Sequence, residues 1–267
     1  MSIEISVVMS VHNNAKTLQS AIDSVCAQTF ANWELIIVDD YSQDESRNIL
    51  GINSKNNKIK TIYNKKNIGL AKSLNLAVSM SDGEFIARMD ADDISMPERL
   101  ERQLAILKKK SLSVVGSNAI LISEIGVEIG QTNLKINDKD LKGNILISNP
   151  FIHPSVVMTK DFFTSNNGYD ESLRKKQDYD LWVRGINHGA YYNIEDPLIK
   201  YTVQPYKSIK TDFYGFLVRI RNGFRMRRPI YGFFVAVCIF SINILRKFGY
   251  RSRNISRLIN TELNNGN

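Results

Sequence analysis

Three carboxylates follow a short apolar stretch in the first half of the chain. Residues 85–89 are typical of a buried strand, and Asp90, Asp92 and Asp93 come directly after them. Asp90 and Asp92 are two apart, so an extended backbone would point both to the same side. Such carboxylates need a cation or hydrogen-bond donors, and Mg²⁺ or Mn²⁺ prefers oxygen ligands. The alternative is a polar turn in which Asp92 or Asp93 caps a helix over residues 94–110.

The stretches around these carboxylates alternate between strand-like and helix-like patterns. Strands are predicted at residues 3–11, 33–38, 59–63 and 85–89, with helices at 17–29, around Ile49 and Leu50, and at 70–79. This order predicts an α/β fold, Rossmann-like, with a mostly parallel sheet and flanking helices. Ligands bind beyond the carboxyl ends of such strands. Those ends carry His12, Asp39, Asp40, Asp90 and Asp92.

The net charge of the 267-residue chain is +8, and it is unevenly distributed. Residues 205–267 contain 12 lysines and arginines against two acidic residues, so the remainder is slightly acidic. This asymmetry predicts an anionic partner for the tail. Cys26 and Cys238 lie in apolar surroundings and are interpreted as reduced core residues. With no signal peptide recognised, they favour a cytosolic location.

The tail combines an apolar stretch with basic flanks. Residues 230–245 are strongly apolar, but they are fewer than the ~20 needed to span a bilayer, and basic residues on both sides argue against a simple span. We therefore predict that residues 213–258 form helices lying in a membrane interface. The alternative is a helix pair packed on the globular part. Nucleic-acid binding is disfavoured because no recognised motif accompanies the charge.

Seven motifs occur in an order and at spacings that resemble a known family. They are residues 6–13, 34–44, 67–75, 90–93, 153–155, 168–170 and 177–182. Over about residues 3–203 the chain resembles the family 2 glycosyltransferases, which have a GT-A fold. The resemblance implies a GT-A catalytic domain over residues 1–204. Within it, a nucleotide-sugar-binding part would cover about 1–110 and an acceptor-binding part about 111–204. A C-terminal helical tail, 205–267, would follow.

The resemblance also implies a reaction, namely transfer of a sugar from a nucleotide diphosphate sugar with inversion at the anomeric carbon. It assigns nucleotide contacts to Val11, His12, Asp39, Asp40, Lys72 and Asp90. Asp92, together with Asp90, would hold a Mn²⁺ or Mg²⁺ ion that bridges the two phosphates. Such an ion neutralises the charge that develops on the leaving nucleotide.

An inverting transfer needs a general base for the acceptor hydroxyl. The resemblance assigns this role to Asp178, at the start of a predicted helix over residues 177–187 whose dipole would keep it ionised. On position alone Asp178 could equally be a helix cap. Gln177 stands where family members often have Glu, and it cannot be a base. Ser10 and His12 replace the usual Pro and Tyr, which puts base stacking in question.

Two further residues, His153 and Trp182, are predicted on the acceptor side. A lone histidine is more often a hydrogen-bonded structural residue than a ligand. Trp182 could stack on an acceptor sugar or fill the core.

The resemblance therefore implies an inverting hexosyl- or N-acetylhexosaminyltransferase, with a UDP-sugar as the expected donor. The tail suggests an acceptor saccharide linked to a lipid diphosphate, used in surface polysaccharide synthesis at the cytoplasmic face of the membrane. One alternative is a nucleotidyltransferase, disfavoured because residues 10–14 contain no glycine. The other is an inactive membrane-associated nucleotide-binding scaffold, disfavoured by the intact Asp90, Asp92 and Asp178.

Overall fold

The structure is a computed structural model that describes residues 3–203 and 209–247. Its contacts divide the chain after residue 205 into two compact units. The first half of unit 1 consists of β1 (Ile5–Val11), α1 (Leu18–Cys26), β2 (Trp33–Asp39), α2 (Ser46–Asn53), β3 (Ile59–Tyr63), α3 (Leu70–Ser79) and β4 (Phe85–Arg88). Its second half consists of β5 (Ile94–Ser95), α4 (Arg99–Lys109), β6 (Val114–Ile122), β7 (Glu128–Gln131), α5 (Asp138–Gly143), β8 (Val157–Thr159), α6 (Lys160–Ser165), α7 (Gln177–Arg184) and β9 (Tyr191–Thr202). A 3-10 turn covers His153–Ser155.

One sheet holds the strands of the described part of unit 1, in the order β3-β2-β1-β4-β8-β6-β9-β5, with β7 paired to β6. Strands β1 to β4 are parallel, as the alternation of strands and helices predicted. From β8 onward the sheet is mixed, because β8 runs antiparallel to both β4 and β6. The predicted α/β fold with flanking helices is confirmed, and the parallel part covers the first half only.

The first strands are buried along their whole length or nearly so. Their apolar residues are continuous rather than alternating because the sheet is covered on both faces. Helix α1 buries the stripe Leu18, Ala21, Ile22 and Val25, which joins the same core as Val7 and Met9. A rigid, fully covered sheet therefore carries the loops at its carboxyl edge.

The region after Asp93 differs from the predicted helix over residues 94–110. Residues Ile94–Ser95 form β5, which pairs with β9, and α4 begins only at Arg99. The Asp93 side chain accepts a hydrogen bond from the Thr202 amide at 2.7 Å. Because Asp93 is bonded to the neighbouring strand, neither it nor Asp92 is a helix cap.

Cysteine burial was also predicted wrongly in part. Both cysteines are free, but Cys26 is exposed at the end of α1 and Cys238 is half-buried. The apolar neighbours of Cys26 in sequence lie on the other side of its helix.

Unit 2 is a pair of helices, α8 (Ile209–Arg225) and α9 (Pro229–Lys247), that pack together. Their backbones approach at Gly223 and Gly232, where a Cβ added to Gly232 would lie 2.6 Å from the Gly223 Cα. Asn243 donates a hydrogen bond from Nδ2 to Asp212 Oδ1 at 3.0 Å. In residues 3–203 and 209–247, no helix is long and apolar enough to cross a membrane. The part of the predicted tail helices beyond residue 247 lies outside the described residues.

Gly83, just before β4, gives a test of how tightly β1 and β4 are fitted. A Cβ at this position would lie 2.6 Å from the Ser6 backbone nitrogen and 2.9 Å from the Ile5 carbonyl carbon, neither of which can move aside. We expect Gly83→Ala to lower the free energy of unfolding in urea by about 1–3 kcal/mol. The control is Gly51→Ala in α2, which meets nothing within 4 Å and should stabilise by about 0.5–1 kcal/mol. Equal stability of the two variants would contradict the close fit.

Candidate active site

The ends of β1 and β2 meet at the carboxyl edge of the sheet. Val11 and Asp39 are register partners, and the Asp40 amide donates to the Val11 carbonyl at 2.7 Å. The His12 ring extends the contact, since its Nδ1 lies 2.9 Å from the Asp40 carbonyl oxygen. His12 is exposed, whereas Val11 is buried. These residues thus lie together at one edge, where Val11 is fully buried and its nucleotide contact remains a prediction.

Asp39 is a fully buried carboxylate with its own cation. Its Oδ2 pairs with Arg47 Nε at 2.8 Å, and its Oδ1 accepts from the Ser42 amide at 3.1 Å. The Arg47 guanidinium also lies near the Tyr63 ring, 5.6 Å from its centroid. The pair fixes the orientation of the carboxylate at the end of β2.

Asp40 holds the loop that leads into α3. Its Oδ1 accepts from the Ile68 amide at 2.8 Å and the Asn64 side chain at 2.9 Å, while its Oδ2 accepts from the Gly69 amide at 2.8 Å. Gly69 has a φ of 91°, which side chains with a Cβ rarely adopt. The structure therefore shows Asp40 as a loop-positioning residue. Lys72 is exposed in the first turn of the helix that this loop opens.

The acidic residues after β4 form a cluster. Ligand oxygens of Asp90, Asp92 and Asp93 all lie within 4.8 Å of one another. Burial, and then the neighbouring charges of Asp90 and Asp92, raise the pKa of Asp93 well above its usual range. Three such oxygens at this spacing suit a hard divalent cation, which would relieve their mutual repulsion. Asp90 and Asp92 were predicted as ligands, and the structure adds Asp93.

The structure also reveals a residue that the sequence reasoning missed. Arg88, in β4, is 2% exposed and forms an ion pair through Nη2 with Asp90 Oδ1. Charged residues are almost never this buried unless paired. The available signal was a charged residue within an apolar strand, two positions before an acidic one.

Tyr169 lies in the part of the site that is predicted to bind the acceptor. Its backbone amide donates to Asn75 Oδ1, and its carbonyl accepts from Asn75 Nδ2, both at 2.9 Å. Its hydroxyl lies 2.7 Å from His153 Nε2. Burial, followed by the positive charge of Arg88, lowers the pKa of His153, so this histidine is neutral. His153 thus makes a structural hydrogen bond, and its acceptor contact remains a prediction.

Asp178 is the second residue of α7 and is 9% exposed. Asn149 donates from Nδ2 to its Oδ2 at 2.6 Å, which fixes the carboxylate. The helix cap is Lys176, in a left-handed conformation with φ 67°, so Asp178 is not the cap. Burial raises the pKa of Tyr169; the charge of Arg88 opposes this effect, and the charges of Asp178 and Asp90 add to it.

Trp182 is a core residue, which corrects its predicted acceptor stacking. Its side chain is 0% exposed and lies between Phe151 and Phe162, with ring centroids 5.2 and 6.3 Å away. A sugar in the cleft cannot reach a ring that the core encloses.

Comparisons with known proteins agree with this geometry. Residues 6–165 match the family described as Glycosyl transferase family 2. EpsE of Bacillus subtilis is 34% identical over 203 residues, covering 74% of this chain and 72% of its own length. The O-antigen biosynthesis glycosyltransferase WbnJ of Escherichia coli is 33% identical over 205 residues, covering 74% and 79%.

Two solved structures have a similar fold. S. aureus TarS in complex with UDP-GlcNAc superposes with a TM-score of 0.70 at 17% identity, covering 94% of this chain and 74% of that one. The mannosyltransferase PcManGT from Pyrobaculum calidifontis, in complex with GDP-Man and Mn²⁺, has a TM-score of 0.65 at 12% identity, covering 98% and 80%.

This chain therefore belongs to the family 2 glycosyltransferases and has their GT-A fold. The predicted family is confirmed, and the nucleotidyltransferase alternative is set aside. The individual roles of Asp39, Lys72, Asp92 and the other site residues remain predictions from position.

The two metal-motif aspartates should differ in their effect on stability. Asp90→Asn removes the charge opposite the buried Arg88, so we expect the free energy of unfolding to fall by roughly 3 kcal/mol. Asp92→Asn relieves like-charge repulsion and should be neutral or stabilising. Urea unfolding in the presence of EDTA measures both. Equal losses of unfolding free energy in the two variants would show that the Arg88–Asp90 ion pair does not stabilise the fold.

Proposed function

We propose that this protein is an inverting glycosyltransferase that moves a sugar from a UDP-sugar to a hydroxyl of an acceptor saccharide. The observation that carries the proposal is the cluster of Asp90, Asp92 and Asp93 at the carboxyl edge of β4. The neighbours in complex with UDP-GlcNAc and with GDP-Man and Mn²⁺ support a nucleotide-sugar donor and a divalent ion. WbnJ, named for O-antigen biosynthesis, supports an acceptor in surface polysaccharide synthesis.

Each group in the site has a task in a single displacement. The acceptor oxygen forms a bond to the anomeric carbon while the bond from that carbon to the diphosphate oxygen breaks, and the electron pair leaves with the nucleotide. The proton of the acceptor hydroxyl moves to the Asp178 carboxylate, which Asn149 holds in position. A Mn²⁺ or Mg²⁺ ion held by Asp92 and Asp90 would neutralise charge on the leaving diphosphate. Asp39, with Arg47, orients the base of the nucleotide.

The decisive experiment measures nucleotide release from UDP-, GDP- and dTDP-sugars with Mn²⁺ or with EDTA. We expect release from a UDP-sugar only, lost with EDTA. Asp178→Asn should lower kcat by about 10²–10⁴-fold because the acceptor proton has no base, while UDP binding stays unchanged. Asp92→Asn should weaken metal-dependent UDP binding instead. The control is Asp161→Asn, an exposed carboxylate in α6.

Three outcomes would contradict parts of this proposal. Full activity in Asp178→Asn would remove Asp178 as the base. Release from a GDP-sugar alone would change the donor. UDP binding without transfer to any saccharide acceptor would favour the inactive scaffold. The anomeric configuration of the product, read by NMR, tests inversion directly.

We further propose that unit 2 binds the cytoplasmic face of a membrane peripherally and brings the enzyme to an acceptor linked to a lipid diphosphate. Unit 2 exposes large apolar side chains, namely Phe213, Leu217, Phe224, Ile230, Phe233, Phe234 and Val237. Three exposed arginines lie where its helices meet, namely Arg225 at the end of α8 and Arg227 and Arg228 in the turn that follows. Exposed apolar side chains beside arginines suit an anionic lipid surface.

Vesicle sedimentation tests this attachment. We expect binding to vesicles containing phosphatidylglycerol and much weaker binding to pure phosphatidylcholine. Replacing Arg225, Arg227 and Arg228 with Gln should weaken binding by about 100-fold, at about 1 kcal/mol per charge. Replacing the exposed Lys108, Lys109 and Lys110 with Gln, at the end of α4 of unit 1, is the charge-matched control. Equal loss in both variants, or no vesicle binding, would contradict the attachment.

A further inference from the structure

Arg88 stands inside the sheet rather than at its edge. It is the register partner of Val8 in β1, and its amide donates to the Val156 carbonyl at 2.9 Å. Only 2% of the residue is exposed. A guanidinium in this place cannot move into water, so its positive charge is a fixed part of the site.

That charge faces the acidic cluster. Nη2 pairs with Asp90 Oδ1, while Nε and Nη1 are buried without a hydrogen-bond partner among the described residues. Asp90 therefore provides the carboxylate that compensates Arg88. It is also one of the three residues whose oxygens lie within 4.8 Å of one another. Any cation bound by these oxygens would share Asp90 with Arg88 and feel its repulsion.

We propose that Arg88 is a positioning residue that acts as a built-in counter-charge: it keeps the affinity of the three-aspartate cluster for a free divalent ion low. Metal binding then depends on the donor diphosphate. The inference rests on the proposed metal-dependent donor site. The diphosphate brings both negative charge and oxygen ligands, and Mg²⁺ or Mn²⁺ typically combines one or two carboxylates with phosphate oxygens. The ion would enter with the nucleotide rather than before it.

The alternative hypothesis, in which Arg88 has only a structural role, predicts a different result. If it served only to fill the sheet and satisfy Asp90, replacing it would change stability and leave the dependence of metal affinity on nucleotide as it was. Charge and shape can be separated by three replacements. Arg88→Met keeps the length without charge, Arg88→Gln keeps a donor without charge, and Arg88→Lys keeps the charge.

The experiment titrates MnCl₂ into metal-free protein by calorimetry, with and without saturating UDP. In the absence of UDP, we expect Arg88→Met and Arg88→Gln to bind Mn²⁺ at least tenfold more tightly than wild type, and Arg88→Lys to match wild type. The increase in Mn²⁺ affinity caused by UDP should shrink in the two neutral variants. Arg102→Met, which loses a surface pair with Asp196, is the control and should behave as wild type. Circular dichroism checks that each variant is folded. If Arg88→Met does not fold, Arg88→Gln alone is compared with wild type and with Arg88→Lys.

Unchanged or weaker Mn²⁺ binding in a folded neutral variant would overturn the proposal, and so would equal behaviour of Lys and Gln variants. Wild-type protein that binds Mn²⁺ equally well with and without UDP would also overturn it. Failure of the proposed metal-dependent donor site is distinguishable, because wild type would then bind neither UDP nor GDP with any metal, whereas failure of sugar transfer is measured separately by nucleotide release.

Discussion

Buried negative charge at the carboxyl edge of the sheet is the constraint on which the rest of the site depends. Several carboxylates there have a specific hydrogen-bonding or ion-pair partner. Asp39 has Arg47, Asp40 has the amides of its loop, and Asp93 has the Thr202 amide. Because an uncompensated buried carboxylate is costly, these partners fix the loops as firmly as they fix the charges. The site is therefore preorganised before any ligand arrives.

These local pairs join into a continuous path through unit 1. Asp40 holds the loop that opens α3, and Asn75 on α3 holds the backbone of Tyr169. The Tyr169 hydroxyl then contacts His153. A shift in the loop at the end of β2 would therefore reach Tyr169 and His153.

Much of the fold was predictable because local patterns and tertiary contacts agree. The bounds of β3 and α3 match the residues predicted from the sequence pattern. The predicted start of a helix at residue 94 was wrong, and α4 begins at Arg99. The sequence does not show that Thr202, over one hundred residues away, bonds to Asp93. The pairing of residues 94 and 95 with β9 replaced the helix start that Asp92 or Asp93 could have capped.

The candidate site was predicted in the same uneven way. Strand ends and acidic spacing identified Asp39, Asp40, Asp90 and Asp92 as neighbours at one edge. Arg88 was missed because an apolar strand context hides which face a charge occupies. Trp182 was predicted on the acceptor side with the core as the open alternative, and the structure places it in the core. For both residues the missing information was the tertiary contact, namely Asp90 beside Arg88 and the rings of Phe151 and Phe162 beside Trp182.

The hydrogen bond between the Thr202 amide and Asp93 ties the acidic cluster to β9, the last strand of unit 1. Residues 6–165 suffice to identify the family, yet this contact to the cluster comes from beyond them. A fragment trimmed back to residue 200 would keep all three aspartates of the cluster and lose the amide that holds Asp93. The end of the family match therefore does not mark how far along the chain the contacts of the cluster extend.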